Sequence, residues 1–212
     1  MMDYSKYSVL EFRRKFFKLF GAEISIFDPN TDTLIGFIKM KAWSLKGDIR
    51  VFTDKSMTSE IVRIGGRQVI SLQKVYDVYD STNGATIASI RQKTLRSQFV
   101  RDHMDIYDAN GKLYGFVQET SSGLALARRW IGVIPIIGPF IELALMFIVQ
   151  TFSVNYDPSG NVPKLVGSIV HKKNPLVVKM RLDTSSAEYK FDPRLNIAVV
   201  SLLSVKDAVK NR

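Results

Sequence analysis

The chain has 212 residues, a formal net charge of +10, a pI near 9.7 and no cysteine. This length suits one well-filled domain, and the lack of cysteine excludes disulfides, thiolate metal sites and cysteine nucleophiles. The positive charge favours polyanionic partners, which are either anionic membrane surfaces or nucleic acid. Residues 1–7 lack the apolar stretch of a secretory signal, so we expect a cytoplasmic protein that can associate with a membrane.

The first predicted element, at residues 8–19, allows two interpretations. Val9, Phe12 and Phe16 fall at helical spacing with basic residues between them, which is typical of a short basic amphipathic helix. The same segment can instead enter a first strand, with its aromatic side chains packed inward and its charges in solvent. The sequence leaves both alternatives open.

From Ala22 onward the chain repeats one unit, which consists of a strand, a polar turn that begins at an aspartate, and a second strand. Four copies and a weaker relative lie at Ile24–Lys41, Tyr76–Lys93, Met104–Glu119, Phe152–Lys173 and, for the relative, Arg50–Ile64. Alternating apolar residues and Asp/Asn/Gly turns predict a β-hairpin for each copy. The aspartates are typical of Asx-turns, and no glutamate follows at the spacing of a calcium loop, so we predict no calcium site.

An apolar insert lies at about residues 128–150. From Trp130 to Val149 it is long and apolar enough to span a membrane, and Arg128-Arg129 is a cytoplasmic-type flank. Breaks at Pro135 and Gly138-Pro139 disfavour a straight helix, and a single span would separate the last hairpin from the others. We therefore expect the insert either to be buried against the protein or to enter one leaflet and return. The side chains expected to contact a membrane are Trp130, Ile134, Ile137, Phe140 and Phe147.

The last predicted element is a helix from Asp192 to Val209. Asp192 can cap its free N–H groups, and Pro193 suits the first helical position. Apolar residues cover every face from Leu195 to Val205, so we expect the helix to be surrounded by protein. It is shorter than the run of about 20 apolar residues that a membrane span needs.

The hairpins and the helix together predict a closed structure. Successive hairpins favour an antiparallel meander that closes, because an open sheet of so many strands leaves long edges exposed. A barrel of roughly ten or more strands encloses more space than its own side chains fill, and the apolar helix can occupy that space. We predict a mainly β fold in one domain, residues 1–212: a closed antiparallel barrel of repeated hairpins around a central hydrophobic C-terminal helix.

The repeated units and the closing helix from Pro193 resemble the tubby C-terminal-like superfamily, and within it the LURP-one-related and phospholipid scramblase branch. The resemblance implies a barrel of about twelve strands and brings no catalytic signature with it. Tubby proteins bind phosphoinositides, and scramblases are linked to lipid movement between leaflets. The chain lacks the proline-rich N-terminal region and the palmitoylated cysteine cluster of scramblases. The expected function is therefore a non-enzymatic, membrane-peripheral module that binds anionic phospholipid head groups.

Basic residues recur where the outgoing strand of a hairpin ends, beyond Gly36, Ala88 and Gly167. Equivalent strand ends should meet at one rim of the barrel and attract the phosphates of lipids or nucleic acid. The predicted head-group residues are Lys39, Lys41, Arg63, Arg67, Arg91, Lys93, Arg96, Lys172 and Lys173. Lysines at strand ends also protect edges and keep proteins soluble, so a solvated surface is the alternative interpretation.

We predict no enzymatic activity, cofactor or metal. His103 and His171 lie in different repeats, so we interpret them as isolated surface or turn residues. The chain has no nucleotide-binding, nucleophile-elbow or zinc-protease motif. Gly65-Gly66-Arg67 is interpreted as a turn between strands, because no helix follows it to bind a phosphate. The alternative functions are a nucleic-acid-binding or regulatory protein that uses the same basic residues, and a phospholipid scramblase proper.

Overall fold

The computed structural model describes residues 4–15, 22–40, 48–67, 73–93, 102–120, 149–157, 159, 162–172, 177–185 and 191–210. Within these ranges twelve antiparallel β-strands form a closed barrel, and one α-helix follows the last strand. The elements are β1 (Val9–Lys15), β2 (Ala22–Asp28), β3 (Thr33–Met40), β4 (Ile49–Phe52), β5 (Glu60–Gly66), β6 (Gln73–Asp80), β7 (Thr86–Lys93), β8 (His103–Asp108), β9 (Leu113–Glu119), β10 (Gln150–Tyr156), β11 (Lys164–Lys172), β12 (Val177–Asp183) and α1 (Pro193–Lys210).

The strand order around the barrel follows the chain, and β1 closes it by pairing with both β2 and β12. This confirms the predicted antiparallel barrel of hairpins. It also shows that the strand interpretation is right for Val9–Lys15, whose backbone pairs with β12 along its whole length. Residues 16–20 lie outside the described residues.

Each of the five hairpins contains a β-bulge at an equivalent place. The register shifts directly after Ile26, Val51, Val78, Ile106 and Val154. Bulges bend a strand and increase its twist, which a sheet needs in order to close. Beside two of the bulges the backbones approach closely, since a Cβ on Gly115 would lie 2.2 Å from the Asn155 carbonyl oxygen and one on Gly167 would lie 2.7 Å from that of Asp183. The recurring glycines therefore allow the bulged hairpins to pack.

The helix α1 fills the interior of the barrel. From Leu195 to Val205 every residue except Asn196 is buried, and the helix contacts strands from different sides of the barrel, including β1, β5 and β7. Its polar groups find partners: the Ser201 hydroxyl donates to the Ile197 carbonyl oxygen at 2.6 Å. This confirms the predicted central helix, and the Arg194 N–H donates to Asp192 Oδ1 at 2.8 Å, as the predicted cap requires.

The barrel has two chemically different ends. At the first, which we call the turn end, the five hairpin turns begin at Asp28, Asp54, Asp80, Asp108 and Asp157. The carboxylates of Asp28, Asp54, Asp80 and Asp108 accept hydrogen bonds from turn amides, for example from Asn30 N to Asp28 Oδ1 and from Asn110 N to Asp108 Oδ1, both at 2.9 Å. The Asx-turn interpretation is confirmed. At the opposite end, which we call the basic end, β3, β5, β7 and β11 finish and α1 ends.

The start of α1 is fixed at the turn end by ion pairs. The Arg194 guanidinium lies 2.5 Å from Asp80 Oδ2 and 2.7 Å from Asp192 Oδ2. Hydrogen bonds from Thr82, and then the contact with Arg194, lower the pKa of the Asp80 carboxyl from 3.8 to about 2. Next to these ion pairs, the ring of Phe191 packs edge-on against Tyr114 and Tyr156, with centroid distances of 5.1 and 5.6 Å.

A charge on the barrel axis should unfold the domain. Val200 is completely buried, and an unpaired buried charge costs several kcal/mol out of a total stability of about 5–15 kcal/mol. We expect Val200→Glu to lose its folded circular dichroism spectrum and its compact elution volume, while Val162→Glu, at a position that is 68% exposed, keeps both. A folded Val200→Glu variant would contradict the axial position of α1.

Asp80 should make stability depend on acid pH. Because its folded pKa of about 2 lies below the usual 3.8, its contribution is fully present above about pH 4 and is lost as the pH falls towards 2. We expect Asp80→Asn to lower the free energy of unfolding at pH 7 and to reduce its slope between pH 4 and pH 2. Urea denaturation across this range measures both quantities. An unchanged slope would show that Asp80 is not the titrating group.

Candidate functional site

The basic end collects the predicted head-group residues that lie at strand ends. Lys39 is near the end of β3, Arg67 follows β5 directly, and Lys172 is the last residue of β11. Lys39 and Lys172 are exposed, and neither forms an ion pair with another residue in the described ranges. The closed register therefore places these strand ends around one rim, and their role in binding stays a prediction.

Several predicted site residues lie outside the part of the chain that the structure describes. These are Lys41, Arg96 and Lys173, the side chain of Lys93, and the membrane-contact residues Trp130, Ile134, Ile137, Phe140 and Phe147. The flanking strands are described: β9 ends at Glu119 and β10 begins at Gln150, both at the basic end. The apolar insert is thus attached to the same end as the lysines. Among the described residues, no helix has the length and hydropathy needed to cross a membrane.

The three predicted arginines that the structure describes, Arg63, Arg67 and Arg91, are held against the outer wall of the barrel. Arg63 lies in the middle of β5 and donates from Nη2 to Asp48 Oδ2 at 2.5 Å. Arg67 binds the carboxylate of Asp77 through both Nε and Nη2, and this hydrogen bonding raises the pKa of Arg67. The Arg91 guanidinium lies 3.9 Å from the centroid of the Tyr107 ring, in a cation–π contact. These three side chains are therefore oriented by partners.

Arg63 and Arg67 line a groove on the outer face of β4, β5 and β6. Its volume is about 500 Å³. Gly65 and Gly66 form its floor, and the structure corrects their interpretation as a turn: both belong to β5, where Gly66 pairs with Tyr76. The strand pairing with β6 continues through both glycines, and a Cβ on Gly65 would lie 3.2 Å from Tyr79 Cε2.

Sequence reasoning missed three other groove residues, Asp48, Arg50 and Glu60. Arg50 lies between the buried residues Ile49 and Val51, so strand alternation alone marks it as facing outward. Its position directly opposite Arg63 depends on the register of a bulged hairpin. Counting residues from the turn does not give that register.

Inside the barrel, the layer of side chains at the basic end is polar. Arg14 donates from Nη2 to Asp207 Oδ2 of α1 at 2.6 Å. Gln150 accepts at Oε1 from His171 Nδ1 at 2.9 Å and donates towards Glu119 Oε1 at 3.4 Å. Since the Gln150 oxygen can only accept, His171 Nδ1 carries a proton in this assignment.

The buried position of His171 corrects the prediction of a surface or turn residue. Its side chain is 1% exposed, and Nε2 lies 3.8 Å from Asp207 Oδ2. Strand alternation explains this burial, because His171 shares the inward face of β11 with Ile169. In the sequence, the lysines that follow His171 suggest a solvated strand end, so the alternation is not recognised there.

The second histidine lies on the outer face of the barrel. His103 Nε2 is 2.7 Å from Asp105 Oδ1, and the imidazole stacks on Phe116 with a centroid distance of 5.3 Å. Within the described ranges, no cluster of three or more His, Asp or Glu side chains could hold a metal ion.

The pair of Arg14 and Asp207 should stabilise the end of α1. Both side chains are buried, at 9% and 7% exposure, and removing one member of a buried ion pair typically costs about 3–5 kcal/mol. We expect that loss for Arg14→Met in urea denaturation. The double variant Arg14→Met/Asp207→Leu should recover part of it, because the buried carboxylate that lost its arginine is also removed. Additive losses in the double variant would show that the two side chains are not coupled.

Comparison with known proteins gives one family. The model of the family described as LURP-one-related matches residues 34–200, from β3 into α1, which is more than half of the chain. The tubby C-terminal-like superfamily is the clan of this family. Neither a search of curated proteins nor a search of solved structures finds a match.

Proposed function

Because the chain belongs to the LURP-one-related family, in the tubby C-terminal-like superfamily, we propose that it is a non-enzymatic, membrane-peripheral module. In this proposal the basic end binds anionic phospholipid head groups. The observation that carries it is the separation of charge between the two ends of the barrel. Lysines are exposed where strands end at one side, and aspartates begin the turns at the other.

This separation favours one orientation on a negative surface. The turn end presents exposed or half-buried carboxylates such as Asp32, Asp54 and Asp108, which an anionic bilayer repels. The basic end presents Lys39, Lys74 and Lys172, all exposed. Each basic residue near an anionic surface contributes about 1 kcal/mol of attraction, so several together are enough for reversible docking.

The apolar insert gives the same end a second means of contact. It connects β9 and β10 at the basic end, and the proposal assigns its residues Trp130, Ile134, Ile137, Phe140 and Phe147 to the lipid interface. Stable attachment to membranes usually takes two signals, such as a polybasic surface and an apolar one. The basic end would supply both from one face.

Charge reversal at the basic end should strongly weaken binding to anionic vesicles. We expect the full chain to co-sediment with vesicles of phosphatidylcholine mixed with phosphatidylglycerol, and not with pure phosphatidylcholine. Lys39→Glu/Lys172→Glu should weaken this binding by roughly three orders of magnitude, since each reversal replaces an attraction of about 1 kcal/mol by a repulsion of about the same size. The matched control is Lys55→Glu/Lys112→Glu, a reversal of two exposed lysines at the turn end, which should bind like the unmodified chain.

Two outcomes count against the proposal. One is equal binding to neutral and anionic vesicles, and the other is an equal loss in the turn-end control. If the chain instead binds duplex DNA with steep salt dependence and does not bind vesicles, the nucleic-acid alternative holds. Dye reduction in reconstituted vesicles tests the scramblase alternative, for which rapid bleaching of both leaflets is required.

A further inference from the structure

The groove on β4, β5 and β6 carries charges of both signs. It is lined by three arginines, Arg50, Arg63 and Arg67, and by four carboxylates, Asp48, Glu60, Asp77 and Asp80. Three of the carboxylates are already engaged: Asp48 binds Arg63, Asp77 binds Arg67, and Asp80 binds Arg194 and Thr82. Because the groove has four carboxylates and three arginines, a polyanion entering it would meet at least as much repulsion as attraction.

Nearby carboxylates compensate the adjacent charges of Arg50 and Arg63 unequally. They are cross-strand partners in the ladder between β4 and β5, and like charges directly opposite each other destabilise a sheet. Asp48 relieves this only in part, because its Oδ2 lies 2.5 Å from Arg63 Nη2 but 3.8 Å from Arg50 Nη2. Two adjacent guanidinium groups, half exposed at 50% and 46%, form a typical receptor for an oxyanion.

A donor and an acceptor that form only a long ion pair with each other, Arg50 and Glu60, lie side by side in the groove. No described residue accepts a hydrogen bond from the Arg50 guanidinium, whose Nη1 lies 3.7 Å from Glu60 Oε2, beyond hydrogen-bond distance. Glu60 accepts from the Ser81 hydroxyl through Oε1 at 2.8 Å, and Oε2 receives no hydrogen bond from the described part of the chain. The groove thus offers N–H donors and a carboxylate oxygen that are joined by a 3.7 Å ion pair and form no hydrogen bond with each other.

The floor of the groove is kept open by glycine. Side chains at positions 63, 65 and 67 share the outward face of β5, and position 65 is a glycine between two arginines. An added Cβ there would lie 3.2 Å from Tyr79 Cε2 and 3.6 Å from Asp48 Oδ1. Any larger side chain would occupy the space between Arg63 and Arg67.

We propose that this groove binds a small zwitterion that presents an oxyanion to Arg50 and Arg63 and a primary ammonium group to Glu60. A phosphoethanolamine head group carries both groups two carbons apart, and an amino acid or short peptide carries an equivalent pair. The site lies on the outer wall and is separate from the rim lysines, so it does not depend on the function proposed for the basic end. The groove would select a ligand that carries both an oxyanion and an ammonium group. The rim lysines, in contrast, would attract any anionic surface through their net positive charge.

Soluble head groups test the proposal directly. The ¹⁵N-labelled full chain is titrated with glycerophosphoethanolamine, glycerophosphoglycerol, glycerophosphocholine and glycylglycine, and the amide signals of Gly65, Gly66 and Gly84, which line the groove, are followed. We expect glycerophosphoethanolamine to bind at least about tenfold more tightly than glycerophosphoglycerol, which lacks the ammonium group, because a hydrogen bond to a charged group is worth about that factor. Glycerophosphocholine should also bind weakly, because its quaternary ammonium has no N–H.

Four variants connect the binding to the named residues. Arg50→Met should abolish binding, Glu60→Gln should bring the ratio of the two affinities to about one, and Gly65→Val should block the groove while keeping every charge. Arg181→Met, at an exposed arginine of β12, is the matched control and should bind normally. The spectrum of each variant also reports whether it is folded.

The outcomes separate the alternatives. Tight binding of glycylglycine as well would identify free amino acids or peptides as a source of the zwitterion, and binding of glycerophosphoethanolamine alone would identify a lipid head group. Equal affinity for glycerophosphoethanolamine and glycerophosphoglycerol, or no saturable shift with any zwitterion, would overturn the proposal. The rim variant Lys39→Glu/Lys172→Glu should leave these shifts unchanged, so a failure of vesicle binding and a failure of this site are distinguishable.

Discussion

The structure depends on the fit between a closed twelve-stranded barrel and the single apolar helix inside it. A barrel of this size cannot fill its own interior, and a helix that is apolar on every face cannot remain in water. Each element supplies the burial that the other needs. The fit is tight: an interior cavity found between α1 and its surrounding strands, lined by residues such as Ile106 and Leu195, measures about 10 Å³, which is roughly the space of one water molecule.

Because α1 fills the interior of the barrel, we expect binding surfaces on the outside. In the described part of the chain, a groove of about 500 Å³ lies on the outer wall of β4 to β6, and the exposed lysines Lys39, Lys74 and Lys172 lie at the basic end. The ends also differ in how α1 is held. At the turn end Arg194 joins the helix to Asp80, and at the basic end Asp207 joins it to Arg14. The helix therefore ties both rims of the barrel together, and the outer surfaces are presented on a rigid support.

Much of the fold could be predicted from the sequence because its signals are local and repeated. Aspartate at each turn, alternation in each strand, and an apolar helix capped by Asp192 each have a direct physical meaning. What could not be predicted depends on register. The bulges shift the pairing by one residue in every hairpin, and this shift decides that Arg50 faces Arg63. The burial of His171 was missed for a related reason, since the adjacent lysines suggested a solvated strand end although its own position faces inward.

In the proposed function, the filled barrel contacts an anionic membrane with its basic end and keeps the turn end in water. Because the chain has no cysteine, single cysteines can carry an environment-sensitive fluorophore at one chosen position. The direct measurement compares labels at Lys74→Cys, at the start of β6, and at Asn110→Cys, in the turn between β8 and β9, both at exposed positions. On addition of anionic vesicles we expect a blue shift at position 74 and none at position 110. Equal shifts at both positions, or a shift at position 110 alone, would contradict the account.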